Sequence, residues 1–251
     1  MFELITANKR RSAALIAAFV LVFCLIGVVV GLVVGQLVLG LLVGLAVGAA
    51  IAAMAYFKAD AKALKASGAT VADAGHYQRL HNLVEGLCVA IGLAKPQILV
   101  VEDAALNAFA TGRDPKHAAL VVTTGLLEQL DRVELEGIVA HELAVIRAHD
   151  TLVGTVAVTL AAGIPVVGRS LLSAVLRPDR ETSADIAATA ITRYPPGLIA
   201  ALEKLRNGSN VVRRAKASSA HLWLCSPLAD TVGADAGRVS LEERIALLRE
   251  M

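Results

Sequence analysis

His141 and Glu142 are adjacent residues whose side chains could support metal-assisted hydrolysis. In the motif H-E-x-x-H, two imidazoles one helical turn apart bind one zinc ion, and the glutamate acts as the general base. The second imidazole would stand at position 145, which is Val145. A valine side chain has no lone pair for a metal. The sequence therefore predicts half of a zinc site. It leaves open whether the protein is a working hydrolase or has kept the fold of one and lost the metal.

The other histidines do not replace the missing ligand by their spacing. His149 is eight residues after His141, which on an unbroken helix is about 80° around the axis and about 12 Å along it, so the two cannot reach one ion. His221 is a remote candidate, although a structural or substrate-side role is favoured for it. The remaining histidines have no supporting spacing: His76, His81 and His117.

A second pair of polar residues follows downstream, at Glu181 and Asp185. At this spacing the two carboxylates share one face of a helix. One could bind a metal while the other accepts the spare N–H of a ligand histidine, which fixes the tautomer and direction of the ring. The alternative is an exposed helix surface, which would be preferred without His141 and Glu142 upstream.

Composition indicates a membrane portion. Of 251 residues, 56% are hydrophobic, which is above the apolar share of about 45–50% in soluble proteins. The mean hydropathy is +0.65. The formal net charge of +2 gives no basic excess for nucleic acid. Three cysteines without paired spacing favour reduced thiols in a cytosol-facing protein: Cys24, Cys88 and Cys225.

Residues 12–57 contain no Asp, Glu, Lys or Arg, which predicts two transmembrane helices near residues 13–35 and 37–57, with the turn at Gln36. A cleaved signal peptide is the alternative, but its apolar core would be only about 7–15 residues long. Glycines recur at every fourth residue in two separate rows of three, and such rows let two helices pack closely, although glycine is also common in membrane helices in general. These are Gly27, Gly31, Gly35, Gly40, Gly44 and Gly48.

The flanking charges predict the orientation of this hairpin. Basic residues precede the first helix and follow the second, so the positive-inside rule places both ends in the cytoplasm. These residues are Lys9, Arg10, Arg11, Lys58, Lys62 and Lys65. The chain is thus predicted to be a multi-pass protein of the cell membrane, with a hairpin at residues 1–57 and a cytoplasmic domain at residues 58–251.

Within the domain, the patterns predict helices at residues 71–93, 180–192 and 196–207, and two short strands at 97–101 and 120–123. Capping boxes at Asp131 and Ser240 start the His141 helix and a terminal helix that ends near Arg249. Residues 151–176 are apolar but divided by Pro165, so they predict a helical hairpin that docks on the domain or dips into one leaflet.

Taken together, these features resemble the HtpX-type membrane zinc metallopeptidases, relatives of the CAAX prenyl endopeptidases. The resemblance covers nearly the whole chain in order, and rests on the membrane hairpin and on residues 107–113, 121–127, 135–143 with Asp150, 180–185, 201–205 and 241–251. It departs at Val145 and at residues 237–240, where the family often has Thr-His-Pro. It implies a mostly helical α+β fold, in which a gluzincin-type domain with a small sheet follows the hairpin.

The resemblance also implies the roles of individual residues. His141 and Glu181 would be zinc ligands, Glu142 the base and Asp185 the partner that orients a ligand. A substrate backbone would lie extended along Asn107, Ala108, Phe109 and Ala110.

The implied function is that of a membrane-bound zinc metalloendopeptidase acting on membrane or misfolded proteins, with its activity in question because of Val145. The expected partners are the lipid bilayer and polypeptide substrates or clients, without nucleic acid. The alternatives are a pseudopeptidase that binds polypeptide segments or regulates an active paralogue, and a purely structural membrane partner.

Overall fold

The N-terminal residues form a hairpin of two long apolar helices, α1 (Phe2–Val34) and α2 (Leu37–Ser67), joined at Gly35 and Gln36. The structure, a computed structural model, describes residues 2–153, 179–228 and 238–251. The segments Ile5–Val34 and Leu37–Lys58 are long and apolar enough to cross a membrane. The two predicted apolar helices and their turn are therefore confirmed, and both helices extend further toward the domain than expected.

The glycine rows allow the two helices to touch through their backbones. A Cβ atom on Gly40 would overlap the carbonyl oxygen of Gly27 and lie 2.7 Å from the Cα of Gly31, and one on Gly44 would overlap the carbonyl oxygen of Phe23. The predicted close packing is thus confirmed. Gly35 is different, because it adopts a φ of +75° in the turn and has open space around it.

A small mixed sheet follows the hairpin. Its strands are β1 (Thr70–Val71), β2 (Gln97–Val101), β3 (Ala108–Gly112) and β4 (Ala118–Thr123), in the order β1-β2-β4-β3. β2 and β4 are parallel, and the other two pairings are antiparallel. The sequence predicted β2 and most of β4. It did not predict β3, whose Ala-Phe-Ala-Thr-Gly sequence has weak strand propensity but which is buried along its whole length against β4.

The helices of the domain agree with the sequence patterns, with one correction. The first helix, α3, runs over Gln78–Ile91 rather than from residue 71, because Thr70 and Val71 pair with β2 and a turn follows. The other helices are α4 (Thr124–Gln129), α5 (Arg132–Arg147), α6 (Arg180–Thr192), α7 (Pro195–Asn207) and α8 (Leu241–Arg249). Both predicted capping boxes are present, at the starts of α5 and α8.

The sheet separates two apolar layers, as the period of two in a strand requires. On one face, Val100, Ala108 and Leu120 pack against α3, α5 and α7. On the other face, Phe109 and Val121 pack with residues that include Ala63 of α2 and Trp223. The α5 layer carries His141, so the sheet positions β3 directly beside the candidate site.

A third apolar cluster joins the hairpin to the chain that follows α5. It contains Leu15, Phe19, Ala52, Ala55, Leu152 and Val153. Most of the apolar hairpin predicted at 151–176 lies outside the described residues. The same is true of residue 237, the first of the four residues at which the sequence departs from the family pattern. The domain boundary at residues 57 and 58 stays a prediction, since α2 passes through it without a break.

Candidate functional site

The candidate site is built on α5, whose register is fixed at its first turn. The Asp131 carboxylate accepts hydrogen bonds from two backbone N–H groups, and the Glu134 carboxylate accepts from the N–H of Asp131. At Gly137 the helix meets the backbone of α7, where a Cβ would be only 2.8 Å from the nearest atom. This close packing buries α5 and places His141 and Glu142 inside the domain, both 3% exposed.

His141 belongs to a buried chain of three charged or polar groups. Its Nδ1 lies 2.7 Å from Oδ1 of Asp185, and Arg244 of α8 donates to both oxygens of the same carboxylate, at 2.7 and 2.8 Å. Burial opposes ionisation of Asp185, but Arg244 and His141 outweigh it and lower its pKa to about 2. A charged Asp185 requires the proton on Nδ1 of His141, which leaves the Nε2 lone pair of a neutral ring available.

Glu181, one turn before Asp185 on α6, has a positively charged partner of its own. Its Oε1 is 3.0 Å from Nη2 of Arg238, a residue of the segment that departs from the family pattern. Burial raises the pKa of Glu181, but Arg180, Arg238 and other nearby positive charges outweigh it and the pKa is lowered. Glu181 is therefore a carboxylate whose charge is already balanced by a guanidinium.

Glu142 lacks such a partner at contact distance among the described ion pairs. Burial raises its pKa against the opposing effects of His141, Arg180, Arg244 and the nearby backbone N–H of Ala110. Arg180 is committed elsewhere, since its Nε is 2.8 Å from Asp150. The low-dielectric surroundings favour the neutral form of Glu142 more than water would.

The strand beside α5 carries the four residues predicted to border a substrate. Asn107, Ala108, Phe109 and Ala110 are all fully buried, at 0–3% exposure. Ala110 lies near Glu142 of α5, and its backbone N–H opposes the rise in the pKa of Glu142. The structure thus groups His141, Glu142, Glu181 and Asp185 in one buried cluster, whereas the Phe109 side chain packs on the opposite face of the sheet. The predicted substrate-binding role of residues 107–110 stays a prediction.

Comparison with known proteins gives a consistent result. A model of peptidase family M48 matches residues 75–223. The protease HtpX homologue of Dictyoglomus thermophilum is 36% identical over 233 aligned positions, covering 78% of this chain and 77% of the relative. The HtpX homologue of Caldanaerobacter subterraneus subsp. tengcongensis is 34% identical, covering 79% and 80%, and that of Tropheryma whipplei is 34% identical, covering 78% and 80%.

The chain belongs to peptidase family M48. The predicted resemblance to HtpX-type proteins is confirmed, and this M48 chain is a membrane protein by its two apolar helices and its relatives. M48 peptidases are zinc-dependent in general. The predicted ligand and base roles of individual residues stay predictions.

The donor set of this M48 chain does not fit the zinc that the family implies. A catalytic zinc site normally has three protein ligands and one water. Val145, at the position predicted for the second ligand, has a buried hydrocarbon side chain, and Glu181, the predicted third ligand, already contacts Arg238. Within the described residues, no group of three or more His, Cys, Asp or Glu side chains is placed to hold a metal ion.

The other histidines have different surroundings. His149 follows the end of α5 with a φ of +56°, and burial together with Lys9 lowers its pKa. His221 lies in a 3₁₀ turn, and its backbone carbonyl accepts a hydrogen bond from Arg180 at 3.2 Å. Contacts of the remaining three are local: His76 with Tyr77, His81 with Ala72 and His117 with Asp114.

Sequence reasoning missed three arginines of the site. Arg180 precedes a predicted ligand, Arg238 lies in the segment that departs from the family, and Arg244 follows the Ser240 capping box. Arg244 offered the best signal, because it points inward on a terminal helix whose apolar residues, Ile245 and Leu248, are buried with it. The partners of these arginines are distant in sequence, so spacing alone does not reveal them.

Proposed function

We propose that this M48 chain is a membrane-anchored pseudopeptidase, which binds polypeptide segments at the membrane without hydrolysing them. The single observation that carries the proposal is the ion pair between Glu181 and Arg238. Within the part of the chain that the structure describes, His141 is then the one predicted zinc ligand that is neither replaced, as at Val145, nor paired with a cation, as at Glu181.

The loss of ligands has a large energetic effect. A complete structural zinc site contributes roughly 10–16 kcal/mol, so each missing ligand weakens binding by several kcal/mol. Since every 1.4 kcal/mol is about tenfold in affinity, occupancy falls by orders of magnitude. Without the metal, Glu142 has no acidified water to deprotonate, because zinc lowers the pKa of its bound water to about 7.

Electrostatic balance supports the same proposal. Among the described residues, the site contains four carboxyl groups, and three of them are each paired with an arginine: Asp150 with Arg180, Glu181 with Arg238 and Asp185 with Arg244. The fourth, Glu142, has a pKa raised by burial. A divalent cation in this space would add positive charge that no further described carboxylate is free to balance. Its binding would therefore bury unpaired charge, which is energetically unfavourable.

Polypeptide binding is supported by the family and by β3. The named relatives are proteases, and the family acts on polypeptides. β3 is an edge strand of the sheet, and an extended peptide adds to such an edge through backbone hydrogen bonds. The partners proposed are therefore extended segments of membrane or misfolded proteins.

A metalloendopeptidase with weak activity is the second candidate. It is favoured by the bond between His141 and Asp185, which orients the ring as in a zinc site, and by the position of Glu142 next to it. This candidate requires a third donor to replace Val145 and a rearrangement of Arg238 away from Glu181.

The proposed setting is a multi-pass protein of the cell membrane with its domain in the cytoplasm. Support comes from basic residues that surround the membrane ends of α1 and α2, such as Lys9, Arg10 and Lys58. Single-cysteine variants labelled in intact cells test this: a cysteine at Gln36 should react with an impermeant maleimide, and one at the exposed Tyr194 should not, in a background without the native cysteines.

The functional test compares the two candidates in one assay. The purified full-length chain in lipid nanodiscs is incubated with reduced, carboxymethylated α-lactalbumin, which stays unfolded, with added zinc or with a chelator. We expect binding without cleavage, and identical results for wild type and Glu142→Gln. Cleavage that the chelator and Glu142→Gln both abolish would establish the second candidate instead.

A further inference from the structure

The edge of β3 that does not pair with β4 is covered by a segment of the same chain. β4 pairs with one edge of β3, and on the other edge Phe109 forms an antiparallel bridge with Trp223. The N–H of Leu224 donates to the carbonyl of Ala108 at 2.8 Å. Residues 223–225, here termed the closing segment, therefore lie where an added polypeptide strand would pair.

The Asn107 side chain hydrogen-bonds the backbone of the closing segment, as it would the backbone of a bound peptide. Its Nδ2 donates to the carbonyl of Cys225 at 3.0 Å, and its Oδ1 accepts from the N–H of Cys225 at 3.2 Å. The Asn107 amide thus bonds both backbone groups of Cys225, the residue that follows the Trp223 bridge by two positions. Next to it, the rings of Phe109 and Trp223 pack with centroids 4.5 Å apart, each residue 1% exposed.

Arg238 connects this segment to the candidate site. Its Nη2 lies 2.7 Å from the carbonyl oxygen of Trp223 and 3.0 Å from that of Leu224, and it is the same nitrogen that contacts Glu181. One guanidinium therefore joins two backbone carbonyls of the closing segment to the carboxylate on α6. Such charge-assisted bonds are about twice as strong as neutral ones.

We propose that the closing segment is an internal pseudosubstrate strand that blocks the edge of β3, and that Arg238 is the latch that holds it there. Release of Arg238 from Glu181 frees the segment and exposes the β3 edge to an extended polypeptide. The partner is recognised by its backbone, since the groups released are the Ala108 carbonyl and the Asn107 amide. The nature of this partner rests on the proposed function, whereas the latch itself does not.

The latch has a direct test in hydrogen exchange. Full-length wild type, Arg238→Gln and Arg249→Gln are compared in nanodiscs by exchange mass spectrometry. Arg249 is the matched control, because it pairs with Glu203 on the exposed surface of α7 and α8. We expect amides in peptides covering 108–112 and 222–225 to exchange about tenfold or more faster in Arg238→Gln, with Arg249→Gln unchanged.

Peptides from α3 report whether the domain stays folded, because α3 packs on the other face of the sheet. If the α3 peptides also lose protection in Arg238→Gln, the variant Arg238→Lys is used instead, because lysine keeps the positive charge beside Glu181. We then expect a smaller increase in exchange rate, confined to the peptides covering 108–112 and 222–225. Unchanged exchange at 108–112 in a folded variant would overturn the latch.

Binding of carboxymethylated α-lactalbumin to the same variants separates this inference from the proposed function. A latch that opens should raise the affinity of Arg238→Gln about tenfold over wild type, because a closed state lowers apparent affinity by the fraction that is open. Faster exchange without polypeptide binding would support the latch and contradict the proposed function. Binding that is equal in all variants, with unchanged exchange, would contradict the latch and leave the proposed function standing.

Discussion

At Glu181, which the sequence predicted to be a zinc ligand, the guanidinium of Arg238 supplies the positive charge. Arg238 lies in the stretch where the resemblance leads us to expect Thr-His-Pro, and its partner Glu181 is on α6, which packs against the helix of Val145. The loss of a ligand and the gain of a cation are physically complementary changes. Together they give a site whose buried charges are balanced by the protein itself.

This pairing predicts that one substitution does not rebuild a metal site. Val145→His restores an imidazole one turn from His141, but Glu181 stays paired with Arg238, so we expect zinc content well below one ion per chain. The double variant Val145→His with Arg238→Gln frees the third ligand and should bind close to one zinc per chain. Elemental analysis after gel filtration measures both, and full loading of the single variant would contradict the role given to Arg238.

The Asp185–Arg244 pair predicts a large effect on stability. Arg244→Leu leaves a carboxylate that is 2% exposed without its guanidinium, and breaking a buried pair costs about 3–5 kcal/mol. For a domain of this size that corresponds to a melting midpoint lower by roughly 10 °C. Arg249→Gln removes an exposed pair and should change stability by less than ~1 kcal/mol. Thermal unfolding in detergent compares them, and similar midpoints for both variants would refute the ranking.

At the scale of elements, the helix starts that carry a capping box were predictable and the edge strand was not. Capping boxes at Asp131 and Ser240 are local signals, and the structure has helices starting where they predict. β3 and the closing segment depend on pairing between distant residues, such as Phe109 and Trp223, which composition does not encode. The start of α3 was misjudged for the same reason, because β2 recruits Thr70 and Val71.

The glycine rows of the hairpin give a prediction at this scale. Gly40→Leu introduces a side chain against the backbone of Gly27 and Gly31, so it should separate α1 from α2 and lower the melting midpoint by on the order of 5 °C or more. Ala46→Leu is the matched control, because Ala46 faces outward on the same helix. Equal midpoints for the two variants in nanodiscs would show that the close approach does not stabilise the hairpin.

On the scale of the whole molecule, the hairpin and the candidate site are physically connected. Asn8 of α1 donates to the carbonyl of Ala148 at 3.0 Å, directly after the end of α5. Leu15 and Phe19 pack with Leu152 and Val153, which continue the chain from that point. The sequence predicted an anchor and a domain as separate units. The contact between Asn8 and Ala148 joins residues 140 positions apart, so no local sequence signal predicts it.

The central claim is that the protein's own arginines balance this site and that it does not take up zinc. Elemental analysis of the purified full-length wild type, equilibrated with zinc and then passed through gel filtration, tests it most directly. We expect fewer than ~0.1 zinc ions per chain, as loss of several kcal/mol of binding energy requires. One zinc ion per chain, lost on substitution of His141 or Glu181, would contradict the claim.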